Sequence, residues 1–128
     1  MNLLVIDDDP VARMLITRFL SIKGYKGSIL TAENGQEGFD IISSSNKKFL
    51  IVLDYHMPVL DGSGLLKKLS KHNYSHPVLL LSSSSAEELE LEFQTHSFVE
   101  GYFDKPIDLN KTKIILDFAE TIALQQAS

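Results

Sequence analysis

The stretch FLIVLDYHMPVLDG, Phe49 to Gly62, decides the fold. Its first five residues, Phe49 to Leu53, are all apolar and predict a strand buried on both faces, the habit of a central parallel strand. The run stops at Asp54, where the strand leaves the core. Met57-Pro58 and then Asp61-Gly62 predict a loop rather than a continuing element, so Asp61-Gly62 is expected to be a turn without chemistry. A lone acid at the carboxyl end of a buried strand stands where an open α/β sheet presents its chemistry. Asp54 is therefore the candidate reactive group.

Working outward, the same grammar repeats. Leu3 to Ile6 is a short apolar run that ends in Asp7, Asp8 and Asp9. Asp9 and Pro10 suit the cap and first position of a helix with Ala12, Leu15, Ile16 and Phe19 on its core face, ended by Gly24. Ser28 to Ala32 is a more polar strand, and Asn34-x-x-Glu37 is a capping box for a helix to about Ser44. Ser63 to His72 predicts a helix with Leu65, Leu66 and Leu69 inward. Val78 to Leu81 is a third apolar run, and Ser85-x-x-Glu88 caps a helix with Ala86, Leu89 and Phe93 inward. Val99 to Phe103 is the fifth strand. Asp108 caps a final helix on Ile115, Phe118, Ala119 and Ile122.

Five strands alternating with five helices predict an α/β fold, a doubly wound parallel sheet of the flavodoxin-like (βα)5 type. The uniformly apolar strands belong in the middle and the mixed second and fifth at the edges. That selects the order 2-1-3-4-5 with its switch point between strands 1 and 3. At 128 residues the chain is expected to be one domain over 1–128 with no output domain. No apolar run approaches the ~20 residues of a membrane span. The N-terminus lacks a basic signal-peptide start, and there are no cysteines, so a cytoplasmic location is expected. A net charge of -5 argues against nucleic acid as a partner.

In that strand order Asp7-Asp8, Asp54, Ser82 and Lys105 gather along one sheet edge. Adjacent strands lie about 4.8 Å apart, so the carboxylates crowd one another and call for a cation. Oxygen-only ligands favour a hard ion, and Mg2+ is content with one or two carboxylates plus waters and a phosphoryl oxygen. Lys105, roughly 10 Å away at the backbone, reaches in as a point charge. Ser82 adds a hydroxyl. These are parts for phosphoryl transfer onto a carboxylate.

Over its whole length the chain resembles the receiver domain of response regulators. The resemblance is carried by Asp7-Asp8, Asp54 in D-x-x-M-P-x-x-D-G, Ser82, and Lys105-Pro106. It implies a phosphoacceptor, Asp54, loaded from a phosphohistidine on a histidine kinase or histidine phosphotransfer protein. Self-phosphorylation from a small donor and self-dephosphorylation would be its only catalysis. Asp8, Asp54 and the His56 backbone carbonyl would hold Mg2+, with Asp7 acting mainly through water. Ser82 and Tyr102 would form a switch pair, Lys105-Pro106 would be cis, and helix 4, strand 5 and helix 5 would form the signalling face. The resemblance also places the donor against helix 1, where Val11 and Met14 point away from the core stripe. Two departures stand out: Ser82 where Thr is commoner, and Ser83 where a small residue, usually Ala, follows.

Blander and rival readings accompany these. Tyr102 also suits an edge-strand aromatic, and His56 a solvated loop. His72, His76 and His96 are expected at the surface, and Glu87, Glu88, Glu90 and Glu92 on a solvated face. A Mg2+-dependent phosphatase with an aspartyl nucleophile is an alternative, but the second acid such enzymes carry two residues on is here His56. A phosphorylation-independent binding module is another, against which the intact acids and Lys105 argue.

Overall fold

The elements alternate without exception along the chain. They are β1 (Asn2–Ile6), α1 (Pro10–Ile22), β2 (Ile29–Ala32), α2 (Gly35–Ser43), β3 (Phe49–Asp54), α3 (Gly62–Lys71), β4 (Val78–Ser82), α4 (Ala86–Thr95), β5 (Val99–Asp104) and α5 (Leu109–Ala127). The structure, a computed structural model, describes residues 2–83 and 86–127, with side chains to residue 125. The expected helix cap at Ser85 lies outside the described residues. All strand pairs are parallel, in the order β2-β1-β3-β4-β5.

Successive residues of a strand point to opposite faces, which explains why the central strands are apolar throughout. Leu4, Ile6, Ile51, Leu53 and Leu80 enter one core with Phe39 and Ile42 of α2 and Leu65, Leu66 and Leu69 of α3. Leu3, Val5, Leu50, Val52, Leu79 and Leu81 enter the other with Ile16 and Leu20 of α1 and Ile115 and Ala119 of α5. All six residues of β3 are buried, Asp54 included.

Capping follows the sequence closely. Asp9 accepts from Val11 N, Asn34 from Glu37 N, and Asp108 from Lys111 N. Asp61, read as part of a turn, is also the cap of α3, accepting from Gly64 N at 2.8 Å. That places the start of α3 at Gly62 rather than Ser63.

Three expectations about faces are corrected. On α4 the buried positions are Leu89 and Glu92, whereas Ala86 and Phe93 are exposed. Leu89, Leu91 and Phe93 alternate, so no single helical stripe collects them, and the step of three from Leu89 buries a glutamate instead. On α1, Ile16 and Leu20 form the buried stripe and Leu15 is exposed. His76 is buried, not superficial, and its Nδ1 accepts from Phe49 N at 3.2 Å, tying the starts of β3 and β4 together.

Candidate functional site

Strand register sets the site. Ile6 pairs with Leu53, Asp54 with Leu81, and Ser82 with Asp104. The residues at or just beyond these positions, Asp7, Asp54, Ser82 and Lys105, therefore emerge on one edge. The loop after β3 is closed at both ends: Tyr55 N donates to Leu81 O at 2.9 Å and Gly62 N to Tyr55 O at 2.8 Å. A Cβ on Gly62 would stand 2.8 Å from the Tyr55 Cα, so only glycine lets this loop fold so tightly.

Asp7, Asp8 and Asp54 each offer a carboxylate oxygen, and the three lie within 4.8 Å of one another. Asp7 and Asp54 are buried and Asp8 is exposed. The Lys105 amine reaches between the buried pair, 2.7 Å from Asp7 Oδ2 and 3.3 Å from Asp54 Oδ1. Asp7 is further held by Asp9 N, which donates to its Oδ1 at 2.9 Å, and by Arg13, which donates to its carbonyl at 2.5 Å.

The electrostatics follow from this packing. Burial and the neighbouring Asp7 carboxylate push Asp54 up to about 6, against the opposing pull of Lys105. Burial alone would lower Lys105, but its hydrogen bond to Asp7 and the charges of Asp7 and Asp54 outweigh it and raise the ammonium above its usual range. Among the described residues, three carboxylates thus converge while the Lys105 ammonium pairs with two of them, Asp7 and Asp54. That donor set, all oxygen and short of positive charge, fits a hard divalent cation, with Asp7, Asp8 and Asp54 as the residues able to hold it.

Ser82 is buried at the end of β4, and its carbonyl accepts from Lys105 N at 2.9 Å. Ser82 and Tyr102 line one open cleft with Ala86, Leu89 and Phe103. The Tyr102 hydroxyl donates to the carboxylate of Glu90 on α4, which raises Tyr102 and lowers Glu90. His56 is exposed, with its Nε2 3.8 Å from Glu88 Oε2. Lys105-Pro106 is cis, as expected. Val11 and Met14 are 55% and 54% exposed on α1. Sequence reasoning missed Arg13 and Lys111, whose partners include backbone carbonyls that no residue pattern records.

A family model described as the response regulator receiver domain matches residues 3–117. The chain belongs to that family. This receiver is 33% identical over 108 residues to the positive alginate biosynthesis regulatory protein of Pseudomonas aeruginosa, covering 84% of this chain and 42% of that protein. Among solved structures, the receiver domain of the Francisella response regulator 1452 is 32% identical with a TM-score of 0.74, over 91% of this chain and 93% of that one. The response regulator TrrA of Thermotoga maritima, in complex with Mg2+-BeF, is 28% identical with a TM-score of 0.74, over 91% and 96%. The receiver spans less than half the length of these curated relatives, for instance 46% of the response regulator MprA of Mycolicibacterium vanbaalenii and 24% of the DNA-binding transcriptional regulator NtrC of Klebsiella pneumoniae. Receiver domains bind Mg2+ at an acidic pocket, and in this chain Asp7, Asp8 and Asp54 converge in one cluster. No helix among the described residues is long and apolar enough to cross a membrane.

Proposed function

We propose that this receiver is a cytoplasmic switch or relay carrier that takes a phosphoryl group on Asp54 from a phosphohistidine donor. The observation that carries this reading is the Lys105 amine seated between Asp7 and Asp54, beside three converging carboxylates. In the transfer, an Asp54 carboxylate oxygen attacks the phosphorus in line. The phosphorus–nitrogen bond to the donor imidazole breaks, and its electron pair stays on the ring nitrogen. Buried packing of β3 holds the Asp54 carboxylate in one place, and Asp7 holds the Lys105 amine where it meets a phosphoryl oxygen as a point charge.

Asp8, Asp54 and the His56 carbonyl would hold Mg2+, with Asp7 acting mainly through water. When bound, the ion supplies charge neutralisation for the phosphoryl oxygens. The Mg2+-BeF complex of TrrA supports that reading. Ser82 receives a phosphoryl oxygen by donating its hydroxyl, and Tyr102 exchanges its bond to Glu90 for an inward position, so α4, β5 and α5 form the output face. The donor is a histidine kinase or phosphotransfer protein docking across Val11 and Met14, where a methionine makes an adaptable contact.

Intact-protein mass spectrometry with a small phosphodonor tests the core of this. One phosphoryl adduct is expected with Mg2+ and none in EDTA or in Asp54→Asn. An undiminished adduct on Asp54→Asn overturns the assignment. For docking, Val11→Glu with Met14→Glu should slow transfer from a protein donor and spare the small donor; slowing of neither places the docking surface elsewhere.

A further inference from the structure

Lys111 stands in the first turn of α5, where the helix dipole disfavours a cation. Its side chain does not extend into solvent as a surface lysine would, since only 21% of it is exposed. The amine folds back over the β5–α5 loop and makes three contacts there. It donates to Asp104 O at 2.9 Å and to Pro106 O at 3.0 Å, and it pairs with Asp104 Oδ1 at 3.0 Å. The two carbonyls lie on either side of Lys105, one residue before it and one after.

The rest of the loop is held as well. Asp104 is the last residue of β5, in register with Ser82, and Lys105 N donates to Ser82 O. Lys111 N is itself fixed by Asp108 Oδ1 at 2.8 Å, which anchors the root of the clamp on the first turn of α5. The sheet thus fixes Lys105 from below, and an ammonium with three donors closes the loop from above. An ammonium spread over two carbonyls and one carboxylate is a good clamp, because charge-assisted bonds are the stronger ones.

We propose that Lys111 is a positioning residue for Lys105: by clasping the Asp104 and Pro106 carbonyls it aims the Lys105 amine between Asp7 and Asp54. The contacts of Lys111 are with Asp104 and Pro106 rather than with Asp7 or Asp54, so its effect passes through the loop it holds. The placement of Lys105 does not depend on the phosphoacceptor reading. The consequence for phosphoryl binding rests on that reading.

Two arms separate them. In the first, Lys105 acylation by a small amine-reactive reagent is followed by peptide mass spectrometry. Lys111→Met should raise Lys105 labelling several-fold while the other lysines keep their rates, and Lys111→Arg should restore much of the protection. Unchanged Lys105 labelling in Lys111→Met, or a rise shared by all lysines, overturns the proposal. In the second, Mg2+-BeF binding is titrated in a double-mutant cycle of Lys111→Met and Lys105→Ala. Lys111→Met should weaken binding on the order of threefold to tenfold when Lys105 is present and leave it unchanged in Lys105→Ala. Equal weakening in both backgrounds overturns the proposal, because a structural role alone would act without Lys105. If Lys105→Ala binds as tightly as the wild type, the phosphoryl role of Lys105 fails, and positioning by Lys111 stands or falls on the first arm.

Discussion

Lys105 is bound more closely to Asp7 than to Asp54: its amine lies 2.7 Å from Asp7 Oδ2 and 3.3 Å from Asp54 Oδ1. The lysine is therefore anchored by a carboxylate that is not the proposed acceptor. Asp7 holds the amine beside Asp54, so under the proposed function little reorganisation of the lysine is left for the reaction.

Removing that lysine separates loading from signalling. Lys105→Ala should still accept a phosphoryl group on Asp54, but a reporter of the α4–β5–α5 face should respond weakly. Lys105 also restrains Asp54, so in the metal-free variant the Asp54 carboxyl should titrate above the wild-type value of about 6. Carbon-detected NMR of the side-chain carboxyls reads this directly. A downward shift would show that Lys105 is not the dominant positive charge at this site.

Asp54 itself should oppose folding at neutral pH without metal. Its carboxyl is raised from an ordinary 3.8 to about 6, so the folded state holds the proton more tightly than the unfolded chain. The associated stability is present below about pH 4 and is lost as pH rises through about 6. Asp54→Asn should therefore gain on the order of 1 kcal/mol at pH 7.5 in EDTA and little at pH 4. Mg2+ should raise the wild-type Tm and shift Asp54→Asn less. Urea melts at the two pH values, with and without Mg2+, provide the comparison.

His76 predicts a loss of stability in acid. Burial, helped by Lys48, keeps its ring below the usual 6.5, and its unprotonated Nδ1 accepts from Phe49 N. The folded state resists the proton, so stability is complete above pH 6.5 and falls as pH drops below it. His76→Asn, which offers an oxygen in place of Nδ1, should flatten this part of the profile. His76→Leu should cost ~1–3 kcal/mol at pH 7.5, because the buried Phe49 N–H loses its acceptor. Equal pH profiles for wild type and His76→Asn would assign the acid sensitivity to another group.

Glu92 should be a weak point of α4. It is buried with its Oε2 lacking a hydrogen-bond partner among the described residues, and burial raises its carboxyl against the partial relief of His96 and Lys67. Glu92→Met keeps the bulk and removes the buried charge, so denaturant melts at pH 7 should show a gain on the order of 1 kcal/mol. A loss of similar size would mean that the carboxylate is satisfied in solution.

Much of the molecule was legible in the sequence because its signals are local or periodic. Apolar runs marked the central strands, Asp9, Asn34 and Asp108 marked helix starts, and the graded polarity of the strands selected their order. With order and strand ends known, Asp7, Asp8, Asp54, Ser82 and Lys105 had to share one edge. What tertiary structure alone decided concerns which partner each side chain finds and which way a helix rolls. Asp7 is the nearer partner of Lys105, Tyr102 bonds Glu90, and Lys111 clasps the carbonyls beside Lys105. Glu92 and His76 turn inward although their residue types favour solvent. The physical reasons are tertiary: a side chain's partner depends on how distant elements pack together. Backbone carbonyls are invisible to residue patterns, and the roll of a weakly striped helix such as α4 is set by its packing on the sheet, not by its own periodicity.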